Sequence, residues 1–312
     1  MSPSRRSVLR AAGLGVLAAA SGACSGGGPP PLTVAAGEDG GFYLEFAQLL
    51  VAQLTARGMP ADALSTGGSV ENIELVRDGR ATVALTLADV VDGARRGNLP
   101  VLPAAVPLLA VGRVYENYMQ LVVRAEDDIL SPQDLAGRVV SPGAVGSGAA
   151  VFGDRLLAGV ATASTKRLPL RGAIDALERG RIDALLWSGG IPTPALADLA
   201  ARRSIRLLPL DGELARLQGA FGPVYRGLTV PPGVYGATTA VTTVGVANLI
   251  TCAPGTADDV VDAIATTLAT AAAHLVPRPA LGTHYLDLGS LIDTGGVPLH
   301  PGARAAYRRL HG

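Results

Sequence analysis

Three places in this chain join glycines to the start of an amphipathic run, and that combination suits the capture of an anion. They are Gly40-Gly41, Gly67-Gly68-Ser69 and the stretch Gly143-Ala144-Val145-Gly146-Ser147-Gly148. A helix leaves its first backbone N–H groups without partners of their own, and its dipole favours negative charge at that end. Glycine adds a backbone that another group can approach closely. Each glycine taken singly also fits an ordinary turn. Three such starts in one chain point to binding, with the expectation that they converge on one cleft.

Other chemistry finds little support. The histidines are His274, His284, His300 and His311, no pair has i, i+4 spacing, and no Cys-x-x-Cys occurs, so no metal site is expected. His274 reads as a polar spot at a helix end. Neither Ser147 nor Ser188 lies in a Gly-x-Ser-x-Gly elbow. Gly146-Ser147-Gly148 fits the first half of a dinucleotide loop, but Val151 stands where the third glycine belongs. No cofactor and no catalytic residue is assigned, and the expectation is a binding protein rather than an enzyme. A formal net charge of zero gives no footprint for nucleic acid. Cys252 ends the apolar run Leu249-Ile250-Thr251-Cys252 and reads as a buried thiol.

The elements that must position these loops alternate. Leu32 to Ala36 reads as a strand, followed by a helix with Phe42, Phe46, Leu49, Leu50 and Leu54 at spacings of three to four. Ser69 is expected to cap a helix from Val70 to Asp78 that stops at Gly79, before a strand over Ala81 to Thr86. Ser131-Pro132-Gln133-Asp134 carries the cap, proline and acid of a short helix, and Val139-Val140 opens a strand. Glu74 to Leu85 and Asp175 to Leu186 echo each other, each a helix end, glycine, arginine and apolar strand. Met119 to Val123 and Val241 to Ile250 read as apolar strands. Thr256 can cap a last long helix with Asp258 and Asp259 in its first turn and Val261, Ile264, Leu268 and Leu275 on one face. Alternating helices and apolar strands over 312 residues give an α/β fold, and the echo hints at two similar lobes.

The first 24 residues have the layout of an export signal. Arg5, Arg6 and Arg10 precede the uncharged stretch Ala11 to Ala23. These thirteen residues would reach about 20 Å as a helix, against a hydrocarbon core of about 30 Å, so a membrane span is not expected. Ser4 to Arg10 resembles the twin-arginine signal. Gly22-Ala23-Cys24 resembles a lipoprotein processing site at which Cys24 would be diacylated, the other reading being an ordinary cleaved leader. Residues 25–31, Ser-Gly-Gly-Gly-Pro-Pro-Pro, have the composition of a flexible tether.

Taken in order, Gly40-Gly41-Phe42-Tyr43, Thr66-Gly67-Gly68-Ser69-Val70-Glu71-Asn72, Gly146-Ser147-Gly148, Arg181 to Ala184 with Gly190 to Pro194, Thr242 to Val246, and Val297 to Ala303 form a set. The set resembles the TAXI family of solute receptors, which serve one branch of the TRAP transporters. The resemblance covers about residues 32 to 310. It implies a two-lobed periplasmic-binding-protein fold of the second topological type: two α/β sandwich lobes joined by two crossing hinge strands. On that pattern lobe 1 is 32–118 plus 245–312 and lobe 2 is 119–244. It also implies a small anionic solute such as glutamate or another carboxylate, delivered to a fused TRAP membrane permease, while the leader is expected to place the protein outside the cell membrane with Cys24 as lipid anchor. Leu87 and Ala149 depart from the family pattern, each removing a polar side chain near the expected cleft.

The expected cleft residues are these. Gly41, Phe42 and Tyr43 offer backbone donors and an aromatic wall. Ser69 and Asn72 offer side-chain hydrogen bonds. Asp89 either receives an amine or caps the helix beginning at Val90. Ser147, Gly148 and Ala149 hold a carboxylate from the opposite lobe, with Gly189 and Gly190 lining it. Two other functions belong to the same fold: a ligand-sensing module for a membrane signalling protein, and an enzyme, which would need a clustered acid, base or nucleophile that these residues do not supply.

Overall fold

The structure, a computed structural model, describes residues 31–161, 164–277 and 286–312, within one compact unit over 31–312. The expected export leader, Cys24, residues 25–30 of the expected tether and His284 lie outside the described residues. The first part of the chain runs β1 (Leu32–Ala35), α1 (Phe42–Ala56), β2 (Ala61–Leu64), α2 (Ser69–Arg77), β3 (Val83–Leu87) and α3 (Ala88–Arg96). A long strand β4 (Leu109–Arg124) leads to β5 (Val139–Ser141), α4 (Gly148–Leu157), β6 (Ser164–Thr165), α5 (Leu170–Glu178) and β7 (Ala184–Gly189). Then come α6 (Pro194–Arg202), β8 (Ile205–Leu207), α7 (Asp211–Phe221), β9 (Tyr225–Val230) and a second long strand, β10 (Val241–Cys252). The chain ends in α8 (Asp258–Thr270), α9 (Leu288–Leu291) and α10 (Pro301–His311).

Local sequence explains most of these. Phe42, Phe46, Leu50 and Leu54, four apart, form the buried stripe of α1. The two echoing segments become the same turn twice. Gly79 (φ 69°) and Gly180 (φ 66°) take the left-handed conformation that favours glycine. In each, the following arginine amide returns to a carbonyl five residues back, Arg80 to Leu75 and Arg181 to Ala176, both 2.8 Å. The chain then enters β3 and β7. The Ser131–Asp134 box also forms, around a single 3-10 turn at Pro132–Leu135 rather than an α-helix.

Three boundaries differ from expectation. Helix α2 starts at Ser69 itself, because Gly68 (φ 116°) makes the cap and the Ser69 hydroxyl accepts from the Leu87 amide instead. Helix α3 starts at Ala88 with Leu87 at the cap position, so Asp89 is inside the first turn. Helix α8 is preceded by Ala257 in extended conformation, and it stops at Thr270, leaving Leu275 buried beyond a 3-10 turn.

The strands form one path, β2-β1-β3-β10-β4-β7-β5-β6, with β8 on β4 and β9 on β10. The pairs β1–β2, β1–β3, β5–β6 and β5–β7 are parallel. Strands β4 and β10 are antiparallel and run through both halves. From Gly245↔Tyr118 to Cys252↔Leu109 they pair with each other; Tyr118 also faces Gly189, and from there β4 follows β7 while the start of β10 follows β9. Val83 and Leu85 of β3 enter one apolar cluster with α1, α8 and α10, while Ala84 enters another with α2 and α3. In the same way Ala184 and Leu186 face Phe152 and Leu156 of α4, while Leu185 joins Ile174, Leu177 and Leu199 of α5 and α6. Period-two alternation between two apolar surroundings is what a sheet covered on both faces requires.

Candidate functional site

Where the two halves meet, the ends of α1, α2 and α4 close around a cavity of about 40 Å³. Its first side is formed by Gly37, Glu38, Gly41, Phe42, Tyr43 and the Gly67-Gly68-Ser69 turn with Leu87. Ser147, Gly148 and Ala149 with Trp187, Ser188 and Gly189 form the second, and Asn117 of β4 completes it. A water needs roughly 10–15 Å³ of space counted this way, so the closed cavity admits an occupant of only a few heavy atoms.

The donors left for that occupant are mainly backbone amides. The amides of Phe42, Tyr43, Ser69, Gly148 and Ala149 have no hydrogen-bond partner among the described residues. All five sit in the first turn of a helix, where the N–H groups project along the axis and each helix adds roughly half a positive charge. The side-chain hydroxyls are mostly occupied in holding these turns. Ser147 Oγ donates to the Ala144 carbonyl (2.8 Å) and accepts from the Ala150 amide (3.0 Å). Ser69 Oγ accepts from Leu87 (3.0 Å) and lies 3.4 Å from the Tyr43 hydroxyl. Burial pushes that phenol far above its ordinary range, so it stays a neutral donor. Asn117 donates to Ser188 Oγ (2.9 Å) while its oxygen accepts from Asn248 (2.8 Å).

The halves touch around the rim. The Val70 and Glu71 amides of α2 both donate to the Gly146 carbonyl of the opposite loop (3.0 and 3.3 Å). Glu38 accepts from the Leu170 amide at the start of α5 (2.9 Å). Burial raises the Glu38 carboxyl, with that amide acting in the opposite direction.

Of the expected cleft residues, Gly41, Phe42, Tyr43, Ser69, Ser147, Gly148, Ala149 and Gly189 line the cavity, as do Leu87 and Ala149, the departures from the family pattern. Three stand behind it. Asn72 is fully buried as a brace, donating to the Ala36 and Leu85 carbonyls (2.6 and 2.7 Å) and accepting from the Thr66 hydroxyl (2.7 Å). Gly190 makes room for Phe42, whose ring lies 2.7 Å from where a β-carbon would stand. Asp89 neither caps α3 nor reaches the cavity: its carboxylate is buried against Arg155 (2.9 Å) and Tyr225 (2.8 Å). Replacing Asn72 by alanine strands two carbonyls and a hydroxyl, and is expected to lower unfolding free energy by about 2–4 kcal/mol. A urea melt showing a loss below about 1 kcal/mol would rule out the bracing role.

Sequence reasoning missed Glu38, Asn117, Trp187 and Ser188 as wall residues. Asn117 shares its strand with Arg113, Glu116 and Gln120, so nothing local singles it out. Trp187 and Ser188 directly precede Gly189, but no local pattern says that the indole will cross to Gly41, where an added β-carbon would meet its ring at 3.4 Å. Among the described residues no group of three or more His, Cys, Asp or Glu could hold a metal ion. None of their helices is long and apolar enough to cross a membrane. His300 is buried and accepts from the Gly302 amide at the start of α10 (3.2 Å).

Comparison with known proteins places this geometry. The sequence model of the NMT1-like family matches residues 34–309. A solved structure from Bordetella bronchiseptica RB50 shares 16% identity over 90% of this chain and 98% of that one, with a TM-score of 0.56. A structure described as a periplasmic transporter matches at 15% identity over 90% of this chain and 92% of its own, TM-score 0.49. The periplasmic aliphatic sulphonate binding protein SsuA of Escherichia coli matches at 12% identity over 90% and 79%, TM-score 0.44. At 16% identity the likeness to the Bordetella structure is one of fold. The architecture is a mixed α/β fold whose two halves are joined by the long antiparallel strands β4 and β10.

Proposed function

Because this chain belongs to the NMT1-like family, we propose that it is an extracytoplasmic receptor that closes on a small anionic solute and hands it to a membrane transporter. The observation that carries this reading is the set of unpartnered amides at three helix starts, brought from both halves to one enclosed cavity. A carboxylate there gains several charge-assisted hydrogen bonds without displacing any internal one. Closure is the functional motion, since a ligand bridging both halves shifts an open–closed equilibrium toward the form a partner can read. The partner we propose is a TRAP-type permease, in keeping with the TAXI resemblance, with the leader directing export and Cys24 supplying a lipid anchor. Lobe 1 is then 32–118 plus 245–312 and lobe 2 is 119–244, divided where β4 exchanges β10 for β7 at Tyr118.

The test is a thermal-shift screen of the chain without its leader against small carboxylates, amino acids and sugars. A solute that binds only the folded state, present at about 100 times its dissociation constant, adds about 2.7 kcal/mol. Stabilisation by a small acid that is recovered unchanged supports the reading. A preference for sugars, or a hit that is chemically consumed, excludes it.

A further inference from the structure

Among the described residues Glu38 is the one ionisable carboxylate on the cavity wall. It belongs to the loop Gly37-Glu38-Asp39-Gly40-Gly41 that leads into α1, and its backbone carbonyl holds the Gly41 amide (3.0 Å) at that helix start. One carboxylate oxygen accepts from Leu170, across the mouth of the cleft. The other has no hydrogen-bond partner and no ion pair among the described residues. Glu38 also lines the outer basin of about 540 Å³, so it stands at the boundary between the cavity and its entrance.

The charged neighbours do not neutralise it. Asp39, Arg167 and Arg171 line the outer basin, not the cavity. Arg167 grips both oxygens of Asp154 (2.7 and 2.9 Å). Arg171 lies beside Gly40, 3.5 Å from a β-carbon position there, and forms no ion pair with Glu38. The cavity wall therefore carries two unlike kinds of group: amide donors at the starts of α1, α2 and α4, and one carboxylate with an open acceptor. An unpaired carboxylate beside a bound anion repels it, whereas an ammonium within reach is a charge-assisted donor.

We propose that Glu38 sets the charge class of the solute, accepting a hydrogen bond from the ammonium group of an amino acid whose carboxylate sits on the helix-start amides, and rejecting acids that lack that ammonium. This deepens the receptor reading and rests on it. Burial raises the carboxyl while the Leu170 amide acts the other way, and an ammonium beside it favours the ionised form.

The experiment titrates the leaderless chain calorimetrically with the common α-amino acids and with their deaminated counterparts (acetate, propionate and glutarate in place of glycine, alanine and glutamate). The expected result is binding of an amino acid at least about tenfold tighter than its deaminated partner. Glu38→Gln should erase that ratio, mainly by weakening the amino acid, and Glu38→Asp should retain part of it. Melting curves of the variants without solute check that they fold. A ratio near one in the original chain, or a ratio unchanged by Glu38→Gln, overturns the proposal while leaving the receptor reading standing. Silence of the whole panel toward the original chain overturns both. Gly148→Ala separates the two kinds of group: it should weaken every solute and leave the ratio intact.

Discussion

Replacing Asp89 by alanine lowers the unfolding free energy by about 3 kcal/mol, the lower part of the range for breaking a buried pair. Asp89 on α3, Arg155 on α4 and Tyr225 on β9 form a closed triangle of hydrogen bonds: 2.9 Å from Arg155 to Asp89, 2.8 Å from Tyr225 to Asp89 and 2.7 Å from Arg155 to the Tyr225 hydroxyl. The Asp89 side chain is completely shielded from solvent and that of Arg155 nearly so. Burial pushes the Asp89 carboxyl up, and first Arg155, then the Tyr225 hydroxyl, draw it back. Removing the carboxylate leaves a guanidinium without its counter-charge, stacked 4.4 Å over the Phe221 ring. The Arg155 side chain keeps 12% of its surface exposed and can turn toward water, which is why the loss falls at the lower end. Urea melts give the value, and a loss under about 1 kcal/mol would show that the pair contributes little. The double replacement Asp89→Leu with Arg155→Met should recover most of the loss, since apolar packing often matches a buried pair. The triangle spans 136 residues of sequence and joins the two halves, so the same variant should also favour the open form.

Gly148→Ala weakens solute binding by about tenfold to a hundredfold while leaving the melting of the solute-free chain nearly unchanged. A β-carbon at this position would lie 2.5 Å from Leu87 Cδ1 and 2.9 Å from Ser69 Oγ. Both atoms belong to the opposite half, and Ser69 Oγ is fixed by the Leu87 amide. Overpacking of a well-filled contact costs about 1–3 kcal/mol, and here the halves relieve it by staying apart. Within α4 the substitution is harmless, because alanine is the better helix former. Calorimetric titration reads the affinity, and small-angle scattering reads whether the chain stays open when solute is added. The control is Gly172→Ala on α5, where the nearest atom is 3.9 Å away, so affinity should hold. Unchanged affinity in Gly148→Ala would mean that closure does not bring these surfaces into contact.

The local pattern of this sequence determined a good deal. The four-residue spacing of Phe42, Phe46, Leu50 and Leu54 made α1. The glycine-arginine turn made two matching entries, into β3 and β7. The glycine-rich starts at Gly41, Gly68 and Ser147-Gly148 each open a helix at the cavity. These features depend on a residue and its neighbours within one or two turns, so they can be read from the chain alone.

What only the tertiary structure decided is which donors remain free and which side chains meet. The hydroxyls of Ser69 and Ser147 looked like ligand groups, yet they hold Leu87, Ala144 and Ala150, and the free donors are the backbone amides that every residue carries. Asn72 and Asp89 looked like cleft residues, yet each is enclosed by partners contributed from other elements. Trp187, Ser188 and Asn117 reach the cavity because β7 and β4 are neighbours in the sheet, through pairings such as Tyr118↔Gly189 between distant segments, and Glu38 reaches it from the loop that follows β1. Helices and turns arise from short-range spacing and backbone conformation, whereas a cavity arises from sheet order, which brings together residues with no periodic relation in the chain.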